Sequence, residues 1–289
     1  MDTREERKKG IILMILSALS FAIMASIVKS LDMYPVTEKV FFRNFFSLLI
    51  TTALILKKGQ SFVGNNKRLL LLRSVFGMLG IVFFFYAISH MKFLADATIL
   101  NNMSPFFVVT LSVIFLKEDI NKYQVVALIL ALAGVLLIVR PKFDLTIMPS
   151  LAGLLSALFA GAAYVTVRYL RQTDSPRTIV FYFTLLTTVC MLPFILKGDW
   201  IMPKGLDILK VLGVGVFATI GQYAMTYAYK FVEASKVSIY TYTGIIFSSI
   251  IGIIVFKESL EIFTVLGGIF IIGGGYINFY YKKLEDKTK

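Results

Sequence analysis

The sequence predicts an all-α integral membrane protein with ten transmembrane helices in two inverted five-helix repeats. Three observations predict it. Hydrophobic residues make up 57% of the 289, charged residues only 16%, and the mean hydropathy is +0.80. A chain this apolar cannot cover itself with a soluble surface, so it falls in the membrane class. Its apolar runs are mostly close to the ~20 residues that cross the hydrocarbon core as a helix. A long motif also occurs twice at an offset of 140 residues, and a fixed long period marks a duplicated unit.

The expected spans are 10–30, 36–56, 69–89, 94–116, 123–139, 149–169, 177–196, 208–230, 235–256 and 261–281. Short connections make successive spans antiparallel neighbours, and no segment is long and polar enough for a separate soluble domain. Met1–Lys9 carries both signs of charge before a first apolar run too long for a signal-peptide core, so an uncleaved first span is expected.

The repeated motif organises the halves. It begins at Asn101-Asn102-Met103-Ser104-Pro105, crosses an apolar run to Lys117-Glu118, and crosses a second to Gly134. Its echo begins at Tyr242-Thr243-Gly244 and passes Lys257-Glu258 to reach Gly274. Ser17-Ala18-Leu19 likewise returns as Ser156-Ala157-Leu158. The expected repeats are 1–143 and 149–289, joined through Arg140-Pro141-Lys142. Five is odd, so the second copy enters from the opposite side, as in transporters that bind substrate at the midplane between inverted repeats. Small residues mark close helix approach: Ala18, Ala22 and Ser26; Ala157 and Gly161; Gly77 and Gly80; Gly267 and Gly274.

The net charge of +13 reports topology. With the amino terminus inside, twenty Lys and Arg fall at cytoplasmic ends and nine at outer ends, with Arg43 within a span. That is the positive-inside bias, and no nucleic-acid partner is expected. A lone Cys190 and a lone His90 make no disulfide or metal spacing, so neither a metal nor a cofactor is expected.

These features resemble the EamA-type, ten-helix branch of the drug/metabolite transporter superfamily. The resemblance rests on Phe85-Tyr86-Ala87-Ile88, Leu94-Ala95-Asp96-Ala97, Ser104-Pro105, Leu116-Lys117-Glu118 and Gly134-Val135-Leu136-Leu137. In the second half it rests on Tyr227-Ala228, Glu233-Ala234-Ser235, Phe256-Lys257-Glu258 and Gly273-Gly274, with Gly244-Ile245 where Ser104-Pro105 stood. It implies a multi-pass carrier or exporter of small metabolites in the cytoplasmic membrane, with both termini inside. Members handle amino acids, nucleotide-like metabolites and drugs. The expected function is secondary transport of an amino acid or related organic solute, outward, by alternating access. The second reading is an integral-membrane enzyme acting on lipid-like substrates. Expected partners are the solute and membrane lipids, and a homodimer is left open.

Candidate substrate-binding residues follow from depth. Asn101 and Asn102 sit well inside span 4, where an amide must find partners in the protein or in a wet cavity. Pro105 removes a backbone donor and frees the Asn101 carbonyl, loosening that turn. Tyr240 and Tyr242 lie at the equivalent depth of span 9, Gln222 and Tyr223 in span 8, Tyr164 in span 6 and Tyr86 in span 3. Tyr280, Tyr281 and Tyr229 read as interfacial anchors instead. Arg43 is the one charge well inside a span; it could attract a carboxylate or phosphate, or else snorkel or pair with Glu38. Arg73 and Lys29 lie near span ends and read as snorkelling. The seventeen Asp and Glu fall at span ends, loops or tails, leaving energy coupling open, and Glu118 and Glu258 are expected to pair with the adjacent lysines.

Overall fold

A computed structural model describes residues 4–116, 122–139, 147–198, 200–232 and 237–288. The helices are α1 (Arg4–Lys29), α2 (Val36–Lys57), α3 (Lys67–His90), α4 (Leu94–Asn101), α5 (Ser104–Leu116), α6 (Lys122–Val139), α7 (Met148–Thr173), α8 (Pro176–Lys197) and α9 (Leu206–Phe231). A 3-10 turn over Ser238–Tyr242 leads into α10 (Thr243–Phe256), and α11 (Ile262–Thr288) follows. The described residues contain no strand. Six helices, α1, α2, α3, α7, α8 and α9, are long and apolar enough to cross a membrane, and shorter apolar helices complete the bundle. Lys117, Glu118, Glu233 and the 140–146 linker lie outside the described residues.

Local chemistry sets several helix boundaries. Asn66 caps α3 by accepting from the Leu69 N–H at 3.2 Å, and Ser175 caps α8 by accepting from the Thr178 N–H at 3.2 Å. Pro176 at the first position of α8 lacks an N–H that would have been orphaned there. The break between α4 and α5 falls at Asn102–Met103, just ahead of Pro105. The 3-10 turn at 238–242 stands at the equivalent place of the second half without a proline. Helix is interrupted at both places, so proline alone is not the cause.

The bundle buries polar side chains among its apolar core clusters and presents apolar side chains outside. Asn44, Thr51, Ser74, Ser156, Thr184, Thr187 and Ser248 are fully buried, while Ile129, Ile254, Val255 and Ile269 are more than half exposed. Hydrocarbon is a good solvent for the second group and none for the first, so the exposed apolar faces meet lipid. Some of these hydroxyls bond back onto their own helices: Thr184 Oγ1 donates to the Val180 carbonyl at 3.0 Å and Thr187 Oγ1 to Phe183 at 2.8 Å, while the Thr51 and Ser248 hydroxyls have no partner among the described residues.

Packing pairs α1 with α9 and α3 with α7; α2 lies on α8, α6 on α11, α5 on α7 and α1 on α10. The α6–α11 crossing is made by small residues. A Cβ on Gly134 would stand 2.6 Å from the Gly267 carbonyl, one on Gly267 2.7 Å from the Gly134 carbonyl, and one on Gly274 2.8 Å from the Ala127 carbonyl. Without lipid-phase hydrophobic drive, such backbone contact is what holds two membrane helices together. Contact runs from 127 to 134 on α6 and from 274 back to 267 on α11, so the helices are antiparallel.

One latch closes an end of the bundle. Lys257 adopts the left-handed conformation (φ 55°), turning the chain so that Glu258 folds back over Gly252. Its carboxylate pairs with Lys29 of α1, not with the adjacent Lys257. It also accepts from the Leu94 N–H at 3.0 Å, at the start of α4. Lys29 is therefore held by Glu258 and by the Lys92 carbonyl at 2.7 Å instead of snorkelling.

Candidate functional site

The interior contains a pair of arginines on one aromatic ring. Arg43 lies seven residues into α2 and is 2% exposed; its Nη1 donates to Asn44 Oδ1 at 2.7 Å. Arg73 lies six residues into α3 and is 3% exposed. The two guanidinium carbons stand 5.0 and 4.3 Å from the centroid of Phe183 on α8. A cation over a ring face is attracted by its quadrupole, which partly offsets desolvation. Arg73 Nε and Nη1 and Arg43 Nε are buried without a hydrogen-bond partner, and no carboxylate among the described residues pairs with either arginine. Glu38, the alternative partner for Arg43, instead accepts from the Ile201 N–H at 3.1 Å.

Burial of Arg73 overturns the expectation that it snorkels. Leu70, Arg73, Ser74 and Gly77 follow the i, i+3, i+4, i+7 spacing of one helix face. Leu70 is fully buried with Leu170 and Ile179, which fixes that face inward and takes Arg73 with it. Gly77 leaves the space the stack needs: a Cβ there would stand 2.9 Å from the Phe183 ring and 3.2 Å from Arg73 Nη1. The signal was present as a polar, small-residue face, Arg73, Ser74 and Gly77, just inside the start of the span.

The other candidates divide into groups. Tyr164 on α7 lies within electrostatic reach of both arginines and packs on Tyr229 of α9, ring centroids 6.4 Å apart. Tyr229 thus turns inward and is not an interfacial anchor. Tyr240 joins the same cluster with Met14 and Met225. Tyr223 faces Thr51 of α2 and stacks on Tyr227 at 6.4 Å, and the neighbouring Gln222 is 7% exposed.

Four candidates stand apart from the arginines. Tyr86 stacks on His90 at 4.1 Å toward the end of α3. The Asn101 amide donates to Ser156 Oγ at 2.9 Å, tying α4 to α7, and the Asn102 amide donates to the Thr98 carbonyl at 2.8 Å within its own turn. Tyr242 is packed against Gly275 of α11 among Ile99, Met103 and Ile245, its hydroxyl buried without a partner.

A cleft of about 230 Å³ opens between the α2–α3 connection, the α7–α8 junction and the C-terminal half of α9. Gln60, Asp174, Arg177, Thr226, Tyr227 and Tyr229 line it. Arg177 Nη1 donates to Gln60 Oε1 at 2.9 Å, and Asp174 accepts from the Asn65 N–H at 2.6 Å. Tyr229 borders the cleft and its ring packs on Tyr164.

Comparison with known proteins agrees with this architecture. A solved crystal structure shares the fold with a TM-score of 0.66 at 18% identity, covering 95% of this chain and 96% of the other. A Pseudomonas aeruginosa protein named pseudopaline exporter CntI is 34% identical over 268 residues, which cover 92% of this chain and 94% of its own length. Solute carrier family 35 member G1 of Homo sapiens is 28% identical over 280 residues, covering 91% of this chain and 76% of that protein. The family description matches the chain twice, over residues 8–140 and 147–280. These relatives are transporters, not enzymes, and with both matches spanning nearly the whole sequence this chain belongs to the EamA-like transporter family.

Proposed function

We propose that the chain is a secondary exporter of a small organic solute, an amino acid or a relative of one, working by alternating access between two inverted five-span repeats, 1–143 and 149–289. The observation that carries this reading is the α6–α11 crossing. At the repeat offset of 140, Gly267 corresponds to Ala127 and Gly274 to Gly134. Gly134 meets Gly267 and Gly274 meets Ala127, a self-complementary contact whose helices run antiparallel. A two-fold axis along the membrane normal would make equivalent helices parallel; only an axis in the membrane plane makes them antiparallel. The remaining packing agrees, because α1 on α9 and α3 on α7 exchange under the same correspondence, as do α5 on α7 and α1 on α10.

In this reading the chain crosses the cytoplasmic membrane ten times with both termini inside, α4–α5 and the 3-10 turn with α10 being interrupted spans. The solute enters by the cleft at Arg177 and reaches Tyr164 and Arg43, with Gln222, Tyr223 and Tyr240 around it. Outward direction is supported by the exporter name of the Pseudomonas relative. Two measurements test the proposal. Accessibility tags in the 58–66 and 199–205 connections should report opposite sides of the membrane; the same side refutes the inversion. Cells with and without the protein should differ in the solutes of medium and cytosol. Identical profiles across growth conditions refute export.

A further inference from the structure

We infer that Arg43 and Arg73 together form an anchor for a solute carrying two negative charges, a dicarboxylate being the simplest, held beside Phe183 where α2, α3 and α8 meet. The inference rests on the transporter reading and names the class of solute that its site takes.

Two cations on one ring repel each other, and each has left water. Burying a charge without a partner is strongly unfavourable, and like charges at close range add to the cost. Proteins meet that cost with carboxylates, yet none among the described residues pairs with these arginines. Nor do the neighbouring hydroxyls serve as acceptors. Ser74 donates to the Leu70 carbonyl at 2.6 Å, and Thr184 and Thr187 donate to carbonyls of their own helix. Three guanidinium nitrogens remain buried and unused as donors. Guanidinium is the side chain best matched to carboxylate and phosphate, because its planar fork donates two parallel hydrogen bonds.

The missing partner is therefore anionic, and balancing two guanidiniums takes two negative charges. Both arginines are buried on inward helix faces, away from the exposed apolar surface, so a solute fits the placement better than a lipid headgroup.

The test uses the full chain purified in a neutral detergent, with thermal unfolding and calorimetry against succinate and citrate, and succinamide as the uncharged counterpart. Succinate or citrate should raise the unfolding temperature saturably while succinamide does not. Arg43→Gln and Arg73→Gln should each weaken binding by about tenfold or more, the loss expected when one charge-assisted pair is removed. Without ligand these variants should unfold no earlier than wild type, because each relieves like-charge repulsion; a purely structural arginine would give the opposite. Arg43→Lys and Arg73→Lys, which keep the charge, should retain measurable binding. No stabilisation by either carboxylate, equal stabilisation by succinamide, or unchanged binding in both Gln variants overturns the inference. Nanodiscs of phosphatidylcholine with and without phosphatidylglycerol separate the sources: if only the anionic lipid stabilises the protein, a headgroup meets the charge and the solute anchor is refuted. Cellular export reads the transporter proposal separately. Export of neutral or cationic solutes alone, unaffected by the Gln variants, overturns this inference and leaves that proposal intact, whereas carboxylate binding without any export does the reverse.

Discussion

Removal of the Glu258 carboxylate should weaken the bundle by an amount its contacts set. The Glu258 and Lys29 side chains are 7% and 15% exposed, so neither charge is well screened by water. Glu258→Gln keeps the volume and an acceptor for the Leu94 N–H but leaves the Lys29 ammonium with carbonyl acceptors alone and no counter-charge. Breaking one side of a buried pair costs about 3–5 kcal/mol. The carbonyls and the nearby Phe256 ring, 5.4 Å from Lys29 Nζ, offset part of that. A loss of about 2 kcal/mol is expected for Gln. Glu258→Ala also strands the Leu94 N–H, adding about 1–3 kcal/mol. At ~2–4 °C per kcal/mol for a chain of this size class, Gln should lower the unfolding temperature by about 4–8 °C and Ala by about 6–20 °C. Thermal unfolding of the purified protein measures both. The double variant Lys29→Met/Glu258→Gln should recover about 1–3 kcal/mol relative to additivity, since no orphaned charge remains. A Gln variant within about 1 °C of wild type, or strict additivity in the double variant, would refute the latch.

Two further outcomes follow from packing. Gly134→Leu should destabilise by at least about 1–3 kcal/mol, because its Cβ alone would stand 2.6 Å from the Gly267 carbonyl; unfolding in detergent measures it, and a neutral result would dissolve the α6–α11 crossing. Tyr242→Phe should leave the unfolding temperature unchanged or raise it, since it removes a buried hydroxyl without a partner; a loss above about 1 kcal/mol would mean the hydroxyl has one.

The membrane class and the places of the long apolar helices were legible in the sequence, because each is a one-dimensional property. Apolar length records the thickness of the bilayer, and a repeated phase of polar knot, span and glycine records duplication. The weakness near Asn101-Asn102-Ser104-Pro105 was legible for the same reason, since proline removes a local hydrogen bond. Arg43 was legible as a candidate from depth alone. What depth could not supply was direction around the helix axis. Arg73 and Tyr229 sit near span ends, where a long or amphipathic side chain has a cheap route to the interface; only the packing of α3 on α7 and α8, and of Tyr229 on Tyr164, turns them inward.

Partners distant in sequence were beyond reach as well. Glu258 chose Lys29 and the start of α4 over its neighbour Lys257 because a left-handed turn aims the carboxylate backward. The sequence by itself determined the membrane class and that one motif occurs twice along the chain. The tertiary structure alone decided which side chains meet at the centre, since that depends on helix rotation and crossing, set by contacts between residues far apart in the chain.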